Sequence, residues 1–90
     1  MSGNNSSLDA MDNMIETLTK FAEAQREVAQ SLKRQYDIVG QEWNDSQYQR
    51  LGNQLEEVYK PLSESYVATS EAITRTQLSK RLLEEYLNAR

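Results

Sequence analysis

The sequence contains neither cysteine nor histidine, and these two absences remove much of the chemistry open to a chain of 90 residues. Without cysteine there is no disulfide and no thiolate nucleophile, and without histidine the commonest general base is missing. Carboxylates alone suit hard cations held in dedicated loops, so we expect no structural metal and no other cofactor. The adjacent pairs Glu56/Glu57 and Glu84/Glu85 point to different faces of a helix, which is typical of a solvated surface. The sequence therefore predicts a protein that is not an enzyme.

Glycine is also scarce, and long apolar runs are absent. The three glycines, Gly3, Gly40 and Gly52, are scattered, so no Gly-rich loop can cradle a phosphate. Ten basic residues stand against fourteen acidic ones, and the net charge of −4 argues against nucleic-acid binding. No apolar stretch approaches the roughly 20 residues of a membrane-spanning helix, so no membrane insertion is expected. The N-terminus lacks the basic and apolar regions of a signal peptide, which predicts a cytoplasmic location and, for any export, a signal-peptide-independent route.

A chain this short has little core of its own. Single cores of this size supply roughly 3–5 kcal/mol, and disulfides, metals or oligomers usually add the rest. Because the first two are excluded by composition, we expect a protein partner bound by helix packing, in a homodimer or a heterodimer.

The first half of the chain has the pattern of one long helix. Apolar residues recur from Met11 to Val39 at alternating spacings of three and four, which is the seam of a packed helix. We predict a helix over residues 8–39, capped by Ser7 or Asp9 and followed by Gly40 as its C′ residue. The small polar residues 1–7 are predicted to form a disordered tail.

A turn and a second helix complete the pattern. Residues 40–45 are predicted to form the turn, and residues 46–88 the helix. Its N-cap has three candidates, Asn44, Asp45 and Ser46, of which Ser46 also matches a capping box with Gln49. Pro61 lies inside the helix, where it deletes one backbone hydrogen bond; because the seam continues in register beyond it, we predict a kink rather than a break.

The short turn makes the two helices antiparallel, so the predicted fold is an all-α two-helix hairpin. The second helix is the longer, and its C-terminal end is expected to lack cover from the first. Two helices alone also leave half of each seam in water, which favours pairing of two hairpins into a four-helix bundle. The predicted partner interface consists of Leu18, Leu32, Leu51, Leu55, Leu62, Leu83, Tyr86 and Leu87.

The only tryptophan, Trp43, stands in the turn. One interpretation is a plug that covers the open end of the bundle. The other is a recognition element that docks a partner, formed by Trp43 with Asn44, Asp45 and Tyr48. The two interpretations are compatible with each other.

The combination of about ninety residues, two helices and a turn tryptophan resembles the ESAT-like (Trp-x-Gly type) small helical hairpins of type VII secretion. In those proteins an aromatic residue and heptad-spaced apolar residues follow the tryptophan. Here Tyr48 comes five residues after Trp43, and the apolar residues that follow are Leu51, Leu55 and Val58. The resemblance covers residues 8–88.

Two positions depart from that family's pattern. Asp45 replaces the glycine of the Trp-x-Gly motif, and Tyr86 is followed four residues later by basic Arg90, where the family's export signal has an acid. In that family, two paired proteins can share one export signal. The resemblance therefore implies that this chain is the member of a pair that lacks the signal. It further implies an antiparallel homodimer or a heterodimer that is a secreted substrate or a targeting partner of a larger effector. Trp43 and the C-terminus of the second helix would be its contact surfaces.

Two other functions fit the residues. The first is an intracellular coiled-coil adaptor or assembly subunit unrelated to secretion. The second is ligand binding, because an apolar cavity lined by Tyr36, Tyr59 or Tyr66 could hold a small molecule, although nothing in the sequence requires one.

Overall fold

The computed structural model describes residues 5–89. Over that range it contains two α-helices and no strand: α1, Ser6–Val39, and α2, Ser46–Asn88. The helices pack against each other, which confirms the predicted all-α two-helix hairpin. The bounds of α2 coincide with the predicted ones, whereas α1 begins at Ser6 rather than at residue 8. The four-helix bundle stays a prediction.

Asn5 caps α1. Its side-chain Oδ1 accepts a hydrogen bond from the amide of Leu8 at 3.0 Å, and its carbonyl accepts one from the amide of Asp9. The predicted caps Ser7 and Asp9 are therefore wrong, because asparagine further upstream satisfies the free amides of the first turn. Of the predicted tail, residues 1–4 lie outside the described residues, and Ser6 and Ser7 belong to the helix.

Asp45 caps α2. Its Oδ1 accepts hydrogen bonds from the amides of Gln47 at 2.9 Å and Tyr48 at 3.2 Å. Ser46 is consequently the first helical residue, and the predicted capping box between Ser46 and Gln49 has no role at this end. The helix then continues through Pro61 without interruption, so the chain is not broken there, and the kink stays a prediction.

The seam between the helices follows the heptad a and d positions of both. On α1 these are Leu8, Met11, Ile15, Leu18, Ala22, Gln25, Ala29, Leu32 and Tyr36; on α2 they are Tyr48, Gly52, Leu55, Tyr59, Leu62, Tyr66, Thr69, Ile73, Thr76, Lys80, Leu83 and Leu87. All of them are buried or half-buried, as the alternating spacings of three and four require.

The packing divides into two units, which are described separately. The tip unit is residues 23–67, and the distal unit joins residues 5–22 to residues 68–89. In each unit, residues further along α1 contact residues that come earlier in α2, so the two helices are antiparallel in both units. The pairs are Ala29–Tyr59 and Tyr36–Tyr48 in the tip unit, and Asp12–Lys80 and Met14–Thr76 in the distal unit.

The core is thin. Among residues 5–89 only Ala22, Gln25 and Thr69 are buried, and two of those three are polar. The large apolar side chains of the seam are half-buried. Several large apolar side chains outside the seam are more than half exposed. Intramolecular packing therefore uses only part of the apolar surface of the helices.

The C-terminal end of α2 is better covered than the sequence suggested. In the distal unit, Leu8 of α1 lines the same groove as Leu87 of α2. The expectation that this end lacks intrachain cover is therefore wrong for Leu87, because α1 begins early enough to reach it. Leu82 and Tyr86, on other sides of the helix, are exposed.

Candidate interaction surface

Two tyrosines hold the helices together next to the turn. The rings of Tyr36 and Tyr48 are stacked, with centroids 4.2 Å apart and planes within 3° of parallel. Each hydroxyl donates a hydrogen bond to the backbone carbonyl of the other tyrosine, both at 3.0 Å. We call this reciprocal pair the tyrosine clasp.

Each ring of the clasp lies over a glycine. A Cβ atom at Gly40 would overlap the hydroxyl and Cζ of Tyr48, and one at Gly52 would overlap the hydroxyl of Tyr36. Gly40 also donates its amide hydrogen bond to the Tyr36 carbonyl, so that carbonyl accepts from both an amide and a hydroxyl. No described residue has a positive φ. Gly40 is therefore needed for close approach of the ring, and not for the left-handed conformation by which a C′ glycine usually ends a helix.

Trp43 extends the clasp into the turn. Its ring meets Tyr48 edge-on, with centroids 6.2 Å apart and planes at 68°, and the side chain is 42% exposed. Trp43 also interacts with the Asp45 carboxylate. Desolvation would raise the pKa of that carboxyl, but hydrogen bonds from the Tyr48 amide, the Trp43 side chain and the Gln47 amide together lower it below its ordinary value. The turn thus fixes an exposed aromatic surface beside a cap that is negatively charged at neutral pH.

The surroundings of Tyr48 and Tyr59 make their hydroxyl groups less acidic. Desolvation raises the pKa of Tyr48, and its hydrogen bond with Tyr36 and the nearby charge of Asp37 raise it further. Desolvation likewise raises the pKa of Tyr59, helped by the charges of Asp37 and Glu56. Both phenols are neutral near pH 7, which keeps them as hydrogen-bond donors.

The structure brings three of the four predicted recognition residues together: Trp43, Asp45 and Tyr48. Asn44, the fourth, is exposed in the turn. Tyr36, Gly40 and Gly52 complete the cluster and were not predicted. The sequence contained a signal for them, because Tyr-x-x-x-Gly occurs twice, at residues 36–40 and 48–52.

The predicted partner-interface residues fall into two groups. Six of them, Leu18, Leu32, Leu55, Leu62, Leu83 and Leu87, lie half-buried in the seam between α1 and α2. Leu51 and Tyr86 lie outside the seam and are exposed, Tyr86 by 63%. Leu51 is 39% exposed, so of these eight residues Tyr86 alone has more than half of its surface accessible in the folded hairpin.

A groove of about 430 Å³ lies in the tip unit. Its lining includes Ala29, Tyr59, Leu62 and Tyr66, so two of the three tyrosines expected to line a cavity do so; Tyr36 lines a neighbouring groove with Tyr59. Gln25 lies at the same groove, where its Nε2 donates to Ser65 Oγ at 2.7 Å and its buried Oε1 has no hydrogen-bond partner.

The distal unit carries an ion pair on one side of the seam. Lys80 Nζ is 2.7 Å from an Asp12 oxygen and 4.0 Å from a Glu84 oxygen. The hydrogen bond with Asp12 raises the pKa of Lys80, desolvation opposes it, and the charges of Asp12 and Glu84 raise it further. A partly exposed pair of this kind adds little stability.

Within residues 5–89, no three His, Cys, Asp or Glu side chains are grouped so that they could hold a metal ion. Neither described helix is both long enough and apolar enough to cross a membrane. Comparisons with protein-family models, with curated proteins and with solved structures gave no match to this chain.

Proposed function

We propose that this chain is a non-enzymatic helical-hairpin interaction protein that acts as a type VII secretion substrate or as the targeting partner of a larger effector. The observation that carries the proposal is the thin core of the hairpin. Among the described residues a single apolar side chain, Ala22, is buried, whereas twelve large apolar side chains are exposed. Exposed apolar surface on this scale is typical of a protein that packs against a partner.

The aromatic turn supports the secretion part of the proposal. Trp43 is held by Tyr48 and Asp45 and still exposes much of its ring, as a docking residue must. Asp45 stands where the Trp-x-Gly motif has glycine, and its side chain caps α2. The turn can thus present a tryptophan at the start of the second helix with aspartate in place of the motif glycine.

Export from the cell that encodes the chain tests the proposal. We expect the tagged protein in the culture medium, and its loss from the medium when the membrane ATPase of the type VII system is deleted. Trp43→Ala should reduce export while the purified variant keeps its helical circular dichroism, and Trp43→Phe is the matched control, expected to retain most export. Retention of the wild-type protein inside cells with an active system would refute the secretion role and favour the intracellular adaptor.

A further inference from the structure

The groove of about 430 Å³ in the tip unit has room for a small molecule, since ligand pockets in proteins usually measure about 300–1,000 Å³. Its apolar lining includes Ala29 of α1 and Leu62 of α2, and the short alanine side chain leaves space that a larger seam residue would fill. Tyr59 and Tyr66 also line it, and they are seven residues apart on α2, about 10 Å along the helix axis. The apolar part of the groove therefore suits a compact body of one or two rings.

The polar part of the lining is rich in hydrogen-bond donors. It includes the exposed residues Arg26 and Gln30 of α1 and Ser63 of α2, and each of these side chains can donate. Arg26 and Gln30 are four residues apart, so their side chains lie on the same face of α1. Arg26 carries the only charge in the lining, and within residues 5–89 no acidic side chain lies within salt-bridge distance of it. An unpaired guanidinium beside neutral donors attracts an anion, and its planar fork matches a carboxylate.

The neighbouring groove provides a contrast within the same unit. Its lining contains Lys33, Asp37 and Glu56, so its positive charge is outweighed by two negative charges. Lys33 and Asp37 are four residues apart on α1, a spacing at which opposite charges attract each other. We therefore expect a carboxylate ligand at Arg26 and not at Lys33, although both are exposed cations of the same helix.

Gln25 adds a second requirement for the ligand. Its side chain lines the groove and is only 5% exposed. Its Nε2 atom donates to Ser65, but its Oε1 atom is buried without a hydrogen-bond partner. A buried oxygen in this state lowers stability, and a donor on a bound molecule would satisfy it once the side chain turns toward the groove. The groove therefore favours a ligand that carries an N–H group.

We propose that this groove binds a small aromatic carboxylate with an N–H group on its ring. The carboxylate pairs with Arg26, and the ring N–H donates to Gln25 Oε1. The ring itself lies on the apolar surface of Ala29 and Leu62. The charge of the lining selects the carboxylate, and the unsatisfied oxygen selects the N–H group. The site lies wholly within the tip unit and is independent of the proposed role in secretion.

Three probes test the chemistry of the ligand. Indoleacetate has the ring, the carboxylate and the N–H group, whereas indoleacetamide lacks the charge and N-methylindoleacetate lacks the N–H group. We expect indoleacetate to bind the wild-type chain with a Kd of about 1 mM or lower, which a ligand of its size can reach. Indoleacetamide should bind about tenfold more weakly and N-methylindoleacetate about threefold more weakly, because each loses one polar contact. Titration followed by amide NMR spectra measures all three, and the shifted amides should lie in residues 25–30 and 59–66.

Substitution of the cation tests its role against a matched control. Arg26→Gln should weaken indoleacetate binding about fivefold or more and remove its advantage over indoleacetamide. Lys33→Gln removes the same charge from an exposed position of the same helix and should change the Kd less than about twofold. Because both side chains are exposed, both variants should keep the helical circular dichroism of the wild type.

Gln25→Leu tests the second contact. It should abolish the preference for indoleacetate over N-methylindoleacetate, because leucine offers no acceptor to the ring N–H. Arg26→Gln should leave that preference in place. If the preference persists in Gln25→Leu, the N–H group does not meet Oε1 and that part of the proposal is wrong.

Two results would overturn the site itself. One is equal affinity of the wild-type chain for indoleacetate and indoleacetamide, because the charge of Arg26 would then select nothing. The other is the absence of spectral changes around the groove at about 10 mM indoleacetate, which is well above the expected Kd.

Export and ligand binding are independent outcomes. An exported protein that does not bind indoleacetate would overturn the groove as a ligand site and leave the proposed function standing. A protein that binds indoleacetate through Arg26 but is never exported would support the ligand site and refute the secretion role.

Discussion

Replacing Gly52 by alanine should lower the stability of this protein, although the same change in an exposed helix interior ordinarily raises it by about 1 kcal/mol. The new methyl group would overlap the Tyr36 hydroxyl and lie 2.9 Å from its Cζ atom, so the ring must move. A displaced ring loses a hydrogen bond, at about 1 kcal/mol, and its stacking on Tyr48, at about another 1 kcal/mol. The expected net loss in free energy of unfolding is about 1 kcal/mol.

The Tyr36→Phe background should remove most of the loss. It lacks the atom closest to the new methyl group and has already lost the hydrogen bond, but its Cζ still lies 2.9 Å from that methyl group, so Gly52→Ala should there be close to neutral. The coupling energy between the two substitutions should therefore be about 1 kcal/mol. Asn53→Ala, one residue away and exposed, is the control; its gain of about 0.5 kcal/mol should be the same in both backgrounds.

Urea unfolding at one fixed protein concentration measures the cycle, because the stability of a self-associating chain depends on concentration. Circular dichroism reports both helices, and the fluorescence of Trp43, which touches Tyr48, reports the clasp. If Gly52→Ala stabilises both backgrounds by equal amounts, the Tyr36 ring does not lie over Gly52 and the reasoning fails.

Three further predictions concern single groups. Asp45→Ala should lower the free energy of unfolding by about 1 kcal/mol in urea, and Asp45→Asn by less, because asparagine keeps the capping oxygen; equal losses would contradict the cap. The folded-state pKa of Tyr48 lies above its ordinary value of 10.0. The stability that the protonated Tyr48 hydroxyl contributes is therefore complete below pH 10.0 and is lost as the pH rises through the folded-state pKa. The decline in stability above pH 10.0 should be shallower in Tyr48→Phe but not absent, because Tyr59 and Lys80 also have raised pKa values; an unchanged slope would contradict the clasp. Gln25→Leu should be close to neutral, because it removes both a buried carbonyl oxygen without a partner and the hydrogen bond to Ser65; a loss above about 2 kcal/mol in thermal or urea unfolding would argue against that.

The seam was predictable because packing imposes its own period on the sequence. Two helices in contact bury every third and fourth residue, and that spacing identified Gln25 as an inward position even though the residue is polar. Periodicity says nothing, however, about which seam position is buried most deeply. Gln25 and Thr69 are among the most buried of the described residues, while leucines of the same seam are only half-buried.

The local details were harder to predict for a physical reason. Asparagine, aspartate and serine cap helices about equally well, so the sequence around Asp45 allowed three choices that only the turn geometry decides. The role of Gly40 depends on Tyr48, whose ring covers it, and the repeated Tyr-x-x-x-Gly pattern does not by itself show that each tyrosine lies over the glycine of the other repeat. The partner interface was predicted from the seam, most of which is used within the hairpin.

The tyrosine clasp also has a consequence for the order in which the chain folds. It joins residues 12 apart, whereas the contact between Met14 and Thr76 in the distal unit spans 62. Closing the longer loop from the unfolded chain costs about 1.5 kcal/mol more in chain entropy. We therefore expect native contacts to form first next to the turn and then progressively toward the termini. Tyr48→Phe should mainly slow folding, and Thr76→Val, which removes the hydroxyl that contacts Met14, should mainly speed unfolding in stopped-flow kinetics; the opposite assignment would place the nucleus at the other end.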